Sequence, residues 1–353
     1  MRFYRRALKL QLICSIISIC VALGPGQVVH SSTVYDVIIV GGVSALARVR
    51  RGVLLVDSGH YRNDPTRYIH DLLGFDGVTP AYFRWKARQQ IAYYETVSTT
   101  NGTVTNVDIT DFSGQEESPS PTSNAPFVVH LTYPTGQEAT VGARKIVLAT
   151  GLRDILPTTP GIQRNWGKGI YWCPWCDGYE HADQPLGLLG KLALIPGLVE
   201  EIYTLNSDLI ALVNGTDTPE NRAAISQESP TWEQELAVYN VTLENRTIAD
   251  IIRIQGSTSK ISDTTPDTPT AAENDLFRVD FADGGPSIQR AVFFVSFPSE
   301  QHSNLGTDMG VRLDGNKLAS DLATGCMTNL PGVYAIGDAN ADNSTNVPHA
   351  LYT

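Results

Sequence analysis

The sequence predicts a mixed α/β fold with two domains, on three observations. With 353 residues, the chain is longer than one hydrophobic core usually serves, so we expect two domains, one of them discontinuous. Residues 34–40 and residues 53–57 are short apolar runs of the kind that form buried parallel strands. Residues 80–94 carry a helical pattern, and further strand candidates alternate with polar segments beyond it.

The first two predicted strands have the features of a dinucleotide-binding unit. The first ends in Gly41 and Gly42, and the second ends in the acid Asp57. In such a unit the glycines let the backbone approach the pyrophosphate, and the acid binds the ribose of the adenine nucleotide. A strict G-x-G-x-x-G loop would need glycine in place of Val43 and glycine or alanine in place of Leu46, so the fingerprint is incomplete.

The connection between these two strands is also short. Residues 41–52 leave room for a crossover helix of about two turns, close to the minimum for a parallel crossover. Because so short a helix presents few aligned amides to a pyrophosphate, we expect weakened dinucleotide binding there.

The remaining strands are predicted from short apolar runs in the rest of the chain. They are residues 127–133, 145–150, 209–213, 277–281, 291–297 and 332–336. Two polar stretches, residues 113–126 and 256–274, are rich in Ser, Thr, Pro and acids and are predicted to be solvated loops.

The most informative motif is Cys173-Pro174-Trp175-Cys176, which is followed at once by Asp177. Because two sulfurs at this spacing close only a tight, readily reducible ring, the pair is typical of electron exchange. Pro174 suits the first turn of a helix, and the helix N-terminus would stabilise a thiolate. Asp177 would exchange a proton with a departing thiolate if burial raises its pKa.

Two other roles for the cysteine pair stay open at this point. A structural disulfide suits a secreted chain, although a loop this small adds little stability. A zinc site would need two further ligands, and only His181 is nearby in the sequence. Elsewhere, Cys326 has no obvious partner within the chain and is expected to be a buried, inert thiol.

The N-terminus predicts a secreted protein. Residues 1–24 have a basic start and an apolar run that is short for a membrane span and typical of a signal peptide, with an uncleaved anchor as the alternative. Five Asn-x-Ser/Thr sequons agree with the secretory pathway. They begin at Asn101, Asn214, Asn240, Asn245 and Asn343. The formal net charge of −11 argues against nucleic-acid binding.

Several segments together resemble one family. They are IYWCPWCDGYE, KIVLATGLRDILPTTPGI, VLLVDSGHYRN, IHDLLGFDG and PGVYAIGDANADNSTNVPHA. In their order and spacing they resemble the thioredoxin reductase family of FAD flavoproteins (class II pyridine nucleotide-disulfide oxidoreductases), especially its fungal branch with the gliotoxin-type dithiol oxidases. The resemblance covers most of residues 34–353. It implies a discontinuous, Rossmann-like FAD-binding domain at 34–156 and 292–353, with a smaller, degenerate NAD(P)H-binding-like domain inserted at 157–291.

The resemblance also implies roles for single residues. Cys176 would lie nearest the flavin, Cys173 would be the exposed thiol that attacks the substrate, and Asp177 would carry the proton. The implied FAD contacts are Gly41 and Gly42 at the pyrophosphate, Asp57 and Ser58 at the adenosine ribose, Arg62 and Asn63 in the following loop, Ala149, Thr150 and Gly151 at a strand end, Gly337 and Asp338 at the ribityl chain, and Pro348, His349 and Ala350 beside the isoalloxazine ring. Between His349 and His70, we favour His349 for tuning the flavin or relaying protons, with a structural role open for each.

Two departures from the family pattern bear on function. The family continues into a helix that backs the flavin, where this sequence ends at Thr353, and residues 186–196 lack the G-x-G-x-x-A phosphate loop, which argues against NADPH. We therefore expect an FAD-dependent thiol–disulfide oxidoreductase that acts on a small-molecule or protein dithiol or disulfide, with either NADPH or oxygen as electron partner of the flavin and oxygen favoured. The alternative is a catalytically inactive flavoprotein relative. We expect no stable membrane insertion after signal cleavage, and a homodimer on the family's precedent.

Overall fold

The computed structural model describes residues 34–40, 45–110, 125–257, 271–342 and 345–352. The predicted signal peptide, Gly41, Gly42, the sequon at Asn343 and most of the two predicted loops lie outside the described residues. The predicted strands and the predicted helix are confirmed. The helix ends three residues earlier than predicted, because it spans Pro80–Ile91.

A parallel five-stranded sheet forms the centre of the first unit. Its strands, in spatial order, are Val333–Ala335, Ile146–Leu148, Val37–Val40, Val53–Asp57 and Val97–Asn101. These strands are apolar because both faces of the sheet are covered. On one face Ile91 of the helix packs against Ile39 and Leu55. Thr79 caps this helix, accepting a hydrogen bond from the Tyr82 amide.

A four-stranded sheet covers the other face of the central sheet. Its strands are Val34–Tyr35, Glu138–Ala143, Phe127–Thr132 and Thr103–Ile109. Phe127 and Val129 bury their side chains against Ile38 and Leu54 of the central sheet. The short helix Leu305–Asp308 contributes Leu305 to the same core.

The connection that should carry the pyrophosphate loop is described only in part. Residues 45–52 contain a helix of one turn, Ala45–Arg48, and residues 41–44 lie outside the described residues. Arg51 then donates its amide to the Leu46 carbonyl over 3.2 Å, and the chain enters the strand Val53–Asp57.

The second unit is built on another parallel five-stranded sheet. Its strands are Ile170–Tyr171, Val292–Val295, Leu186–Leu189, Leu209–Leu212 and Thr242–Glu244. Three helices supply one side of its core: Ile195–Ile202, Pro219–Glu228 and Trp232–Val238. An antiparallel sheet covers the other side, with strands Ile248–Gln255, Leu276–Phe281 and Ile288–Arg290.

The chain passes between the units twice, and the two passages run side by side. Strand Leu152–Asp154, which leaves the first unit, pairs antiparallel with strand Ser299–Gln301, which returns to it. Strand Val292–Val295 lies inside the second sheet. The predicted domain boundary at residue 292 stays a prediction, since an apolar run does not reveal which of two buried sheets it joins.

The shorter elements lie mostly around the passages and the end of the chain. They are the helices Ile162–Asn165, Pro174–Asp177 and Val347–Tyr352, the 3-10 turns Tyr179–His181, Leu192–Leu194, Leu322–Thr324 and Gly337–Ala339, and the strand pair Leu313–Asp314 and Lys317–Leu318. Across the ranges that the structure describes, no helix is both long enough and apolar enough to span a membrane.

Candidate active site

Cys173 and Cys176 are joined by a disulfide bond in the second unit. Cys173 follows the strand Ile170–Tyr171 and caps the helix Pro174–Asp177 in an extended conformation. The Cys176 and Asp177 amides each donate to the Cys173 carbonyl over 3.1 Å. As the sequence predicts, Pro174 occupies the first turn, so Cys173 lies at the N-terminus of the helix.

A cavity of about 1210 Å³ lies between the first unit and the cysteine helix. This exceeds the roughly 300–1,000 Å³ of most small-molecule sites, as a dinucleotide requires. Most of the predicted site residues line it. They are Asp57, Ser58, Arg62, Asn63, Ala149, Thr150, Gly151, Cys176, Asp177, Gly337, Asp338 and Ala350. Cys173, Pro348 and His349 do not line it.

The two sulfurs of the disulfide face different surroundings. Cys176 lines the cavity and Cys173 lies outside it. On the outer side, Trp175 and Tyr179 are 73% and 77% exposed. The bond therefore joins a sulfur on the cavity side to one that does not line the cavity, and both cysteines are half-buried.

Asp177 is buried beneath the disulfide. Burial raises the pKa of Asp177 well above its ordinary value, the charges of Glu273 and Glu180 raise it further, and Arg67 opposes them. A carboxyl group in this environment stays protonated at a pH where an exposed aspartate has lost its proton. Asp177 can therefore supply a proton beside Cys176.

Arg67, which the sequence does not single out, joins the two units below Asp177. Its guanidinium contacts Glu273, lies 2.9 Å from an Asp275 carboxylate oxygen, and donates to the Tyr171 hydroxyl over 3.2 Å. The Tyr171 hydroxyl in turn donates to Glu273 over 2.9 Å. The acids, the tyrosine and Arg67 lie far apart in sequence, so no local pattern could have predicted this network.

The adenosine end of the cavity contains two partners of Asp57 that the sequence also misses. The Asp57 carboxylate accepts a hydrogen bond from the Tyr61 hydroxyl over 2.9 Å and contacts the Arg88 guanidinium. The Gly59 amide donates to it over 2.9 Å. Asp57 thus lies where the motif predicts and is already held by neighbours from its loop and from the helix.

The strand ends on the other side of the cavity fit FAD. Gly151 and Gly337 have positive φ values of 72° and 59°, which glycine adopts freely. A Cβ at Gly151 would meet no atom within 4 Å, so the backbone is open to a ligand there. The Thr150 hydroxyl is buried without a hydrogen-bond partner among the described residues. Such a group suits a polar atom of a bound cofactor.

The structure places His70 and His349 differently with respect to the cavity. His349 is buried and turns its Nε2 atom to Asp342, 3.0 Å away, instead of lining the cavity. His70 lines the cavity and places its Nε2 atom 3.2 Å from a Glu180 carboxylate oxygen. The preference for His349 stays a prediction, and its ring direction depends on packing that a motif does not encode.

Two observations bear on the zinc alternative for the cysteine pair, and the structural disulfide stays an open alternative. Within the described ranges, no three His, Cys, Asp or Glu side chains are grouped to hold a metal ion. His181 is buried beside Tyr171 rather than beside the sulfurs. Cys326 is a buried free thiol, as predicted.

The place of a second nucleotide loop, after the strand Leu186–Leu189, is occupied by a 3-10 turn. The Leu192 amide donates to the Thr216 hydroxyl over 2.9 Å, and the Leu194 amide donates to the Lys191 carbonyl over 2.9 Å. These amides are therefore engaged within the protein instead of pointing to a phosphate.

Comparisons with known proteins agree with this geometry. No family model matches the chain. The chain is 44% identical over 331 residues to the probable thioredoxin reductase of Arthroderma benhamiae, covering 90% of this chain and 77% of that protein. It is 35% identical over 172 residues to thioredoxin reductase tcpT of Claviceps purpurea, covering 45% of this chain and 47% of that protein.

The fold is also found among solved structures. The oxidoreductase from Agrobacterium tumefaciens superposes with a TM-score of 0.69 at 24% identity, over 90% of this chain and 94% of that one, which shows a shared fold. Because the Arthroderma relative matches at high identity over most of both chains, we conclude that the protein belongs to the thioredoxin reductase family of flavin-dependent oxidoreductases, in its fungal branch.

Proposed function

We propose that the protein is an FAD-dependent thiol–disulfide oxidoreductase that oxidises a substrate dithiol through the Cys173–Cys176 couple. One observation carries the proposal: Cys176 lines a cavity that fits FAD, whereas Cys173 lies outside it. A disulfide placed in this way connects a substrate on the outer side to a cofactor on the inner side.

The chain's own residues account for the thiol exchange. A substrate thiolate attacks the Cys173 sulfur, the Cys173–Cys176 bond breaks, and Cys176 leaves as a thiolate that takes a proton from Asp177. The second substrate thiol then attacks the substrate sulfur of the mixed disulfide, which releases the oxidised substrate and Cys173. The substrate has lost two electrons and two protons, and the cysteine pair has become two thiols.

FAD, when bound, supplies a two-electron acceptor for the reduced cysteine pair. Asp338, held by Arg62, and the Thr150 hydroxyl would bind it along the strand ends, and Asp57 and Ser58 would bind its adenosine end. Gly41 and Gly42 would approach the pyrophosphate, although they lie outside the described residues.

Oxygen is the proposed final acceptor. The engaged Leu192 and Leu194 amides support this choice over NADPH, because they leave the second unit without donors for a pyrophosphate at the usual place. The predicted signal peptide supports it too, since NADPH is scarce outside the cell. We accordingly propose a secreted protein that acts on a small-molecule or protein dithiol.

The test is anaerobic reduction of the purified full chain. We expect a flavin spectrum that a small dithiol such as dithiothreitol bleaches, and hydrogen peroxide in an amount equal to the dithiol oxidised once air is admitted. Cys176→Ser should abolish bleaching and keep the flavin. Cys326→Ser, which changes a buried thiol away from the cavity, should bleach like wild type.

The other outcomes are equally informative. If NADPH bleached the flavin at the rate seen with the dithiol, we would conclude that NADPH, and not oxygen, is the electron partner. A folded chain that binds no flavin on reconstitution would overturn the proposal and favour the inactive relative.

A further inference from the structure

We propose that His70 relays protons between solvent and Asp177, through Glu180 on the inner side and Asp76 on the outer side. This inference rests on the proposed function, because it concerns the proton that Asp177 gives to Cys176. His70 acts through other residues, so we regard it as a positioning residue of the relay.

The proton balance creates the need for such a path. When the disulfide opens, Asp177 gives its proton to the Cys176 thiolate and becomes a carboxylate, while the proton of the attacking substrate thiol passes to solvent. Asp177 must then recover a proton from solvent. On reoxidation the cysteine pair would lose two electrons and two protons; FAD, when bound, would accept the electrons, and any proton that it does not take up would return along the same path.

Asp177 lines the cavity that FAD would fill, and most of its other neighbours lead further into the protein. Glu273 and Asp275 are buried and pair with Arg67, whose guanidinium does not release its proton at ordinary pH. Tyr171 is also buried, and its hydroxyl donates to Glu273. His181 is also fully buried, and burial lowers its pKa to about 4, so it stays neutral. These groups can share a proton but do not carry it outward.

The groups on the His70 side of Asp177 form a path toward solvent. Glu180 follows Asp177 by three residues, in the 3-10 turn Tyr179–His181, and its charge influences Asp177 directly. The His70 Nε2 atom lies 3.2 Å from a Glu180 carboxylate oxygen, and the Nδ1 atom lies 3.6 Å from an Asp76 carboxylate oxygen. The Asp76 side chain is 52% exposed, whereas that of Glu180 is 5% exposed. One ring thus separates a buried carboxyl group from one in solvent.

The loop that carries His70 fixes the ring in this position. Ile69 and Val78 form an antiparallel bridge, with the Ile69 amide donating to the Val78 carbonyl over 2.7 Å. The Asp76 carboxylate accepts from the Asp71 amide over 3.0 Å, which holds it opposite the ring. The Tyr68 ring meets the His70 ring edge-on, with the centroids 6.3 Å apart.

The groups around His70 also set its protonation state. It faces Asp76 from its own loop and Glu180 from the second unit, beside the Tyr68 ring. Burial lowers the pKa of His70, and the charge of Asp76 opposes that effect. A neutral imidazole has one protonated and one free nitrogen, so it can accept a proton on one side and donate on the other.

The first test follows His70 itself and needs no turnover. We would label the histidines of the full chain with ¹⁵N and titrate them by NMR with the disulfide oxidised and after reduction by dithiothreitol. We expect the His70 midpoint to differ between the two states, and the difference to vanish in Asp177→Asn. An identical midpoint in both states would overturn the relay.

The second test measures the anaerobic bleaching by dithiothreitol between pH 5 and pH 9. His70→Gln should lower the rate about tenfold or more, within the range that proton transfer contributes, and added imidazole should restore part of it. The matched control is His130→Gln, which removes another His–Asp ion pair, with Asp108 at 2.8 Å, on the four-stranded sheet. It should bleach like wild type.

Asp76→Asn keeps His70 in place and gives a second variant in case His70→Gln does not fold. We expect a smaller loss of rate than in His70→Gln and a larger solvent deuterium isotope effect than in wild type. Wild-type rate and pH profile in both variants would contradict the relay. A wild-type chain that dithiothreitol does not bleach would instead contradict the proposed function.

Discussion

The Arg62 guanidinium donates to the Asp338 carboxylate over 3.2 Å, and both residues line the cavity. The same guanidinium pairs with Asp154, 2.5 Å away, and lies 5.5 Å from the centre of the Trp172 ring, beside Cys173. One side chain from the first unit thus lies against Asp338, the predicted partner of the ribityl chain, against Asp154 in the passage between the units, and against Trp172, which precedes Cys173.

Arg62→Gln should lower both stability and flavin content. Asp154 is almost fully buried and would lose its cation, at a cost on the order of 3 kcal/mol. Urea unfolding and flavin titration measure the two effects. Arg153→Gln is the control, because its pair with Glu300 is exposed, 63% and 45%, and should change stability by less than about 1 kcal/mol. Equal losses in both variants would contradict this role for Arg62.

Thr150→Ala should weaken FAD binding without weakening the flavin-free protein. The buried Thr150 hydroxyl has no partner among the described residues and lines the cavity, so a cofactor atom is its expected partner. Losing one hydrogen bond should raise the dissociation constant about 3- to 10-fold. Thr100→Ala is the matched control, since its hydroxyl is equally buried and without a partner in the described chain but does not line the cavity. FAD binding that changes equally in both variants would exclude the proposed contact.

Asp177 should make the folded protein less stable as the pH rises. Its folded-state pKa lies above the value in the unfolded chain, so the folded state binds the proton more tightly. The stability that this proton contributes is complete below the unfolded pKa of about 3.9 and is lost as the pH rises through the raised folded pKa. Urea unfolding at a series of pH values should show this decline in wild type and a flatter profile in Asp177→Asn. A decline of the same size in both chains would rule out Asp177 as its source.

Arg67→Met should raise the pKa of Asp177 further and loosen the contact between the units. Arg67 lowers the pKa of Asp177, and it pairs with Glu273 and with Asp275, whose carboxylates would stay buried without it. We expect a loss on the order of 3–5 kcal/mol in urea unfolding. We also expect the rate of anaerobic bleaching to begin its decline at a higher pH than in wild type. A pH profile that stays at the wild-type position would show that Arg67 does not influence Asp177.

The sequence predicts most strands with apolar runs, although it misses Leu186–Leu189, and it fails for strands whose exposed face is polar. Residues 53–57 are buried on both faces, so their continuous apolar run predicts a strand. Thr103–Ile109 places Val104 and Val107 in the core and exposes most of its other residues, so its polar composition hides it. Glu138–Ala143 is hidden in the same way by polar residues at its start.

The same division holds for the candidate site. Residues in contiguous motifs, such as Thr150 and Asp338, line the cavity, while their contacts with FAD stay a prediction. Arg67 and Glu273 meet only because the two units fold against each other, and an isolated arginine in a polar loop gives no signal of this. That His70 lines the cavity and His349 does not has the same origin, since side-chain direction is decided by packing.

The interruption of the first unit by the second affects how the chain folds during its synthesis. Strand Val333–Ala335 completes the central sheet by pairing with Ile146–Leu148, and the whole second unit lies between them in the chain. During synthesis the ribosome must deliver that unit before the sheet can close. Because pairing over so long a separation costs loop entropy and slows folding, the first half must wait with one sheet edge open. A chaperone that shields that edge until the last strand arrives would raise the yield of folded protein.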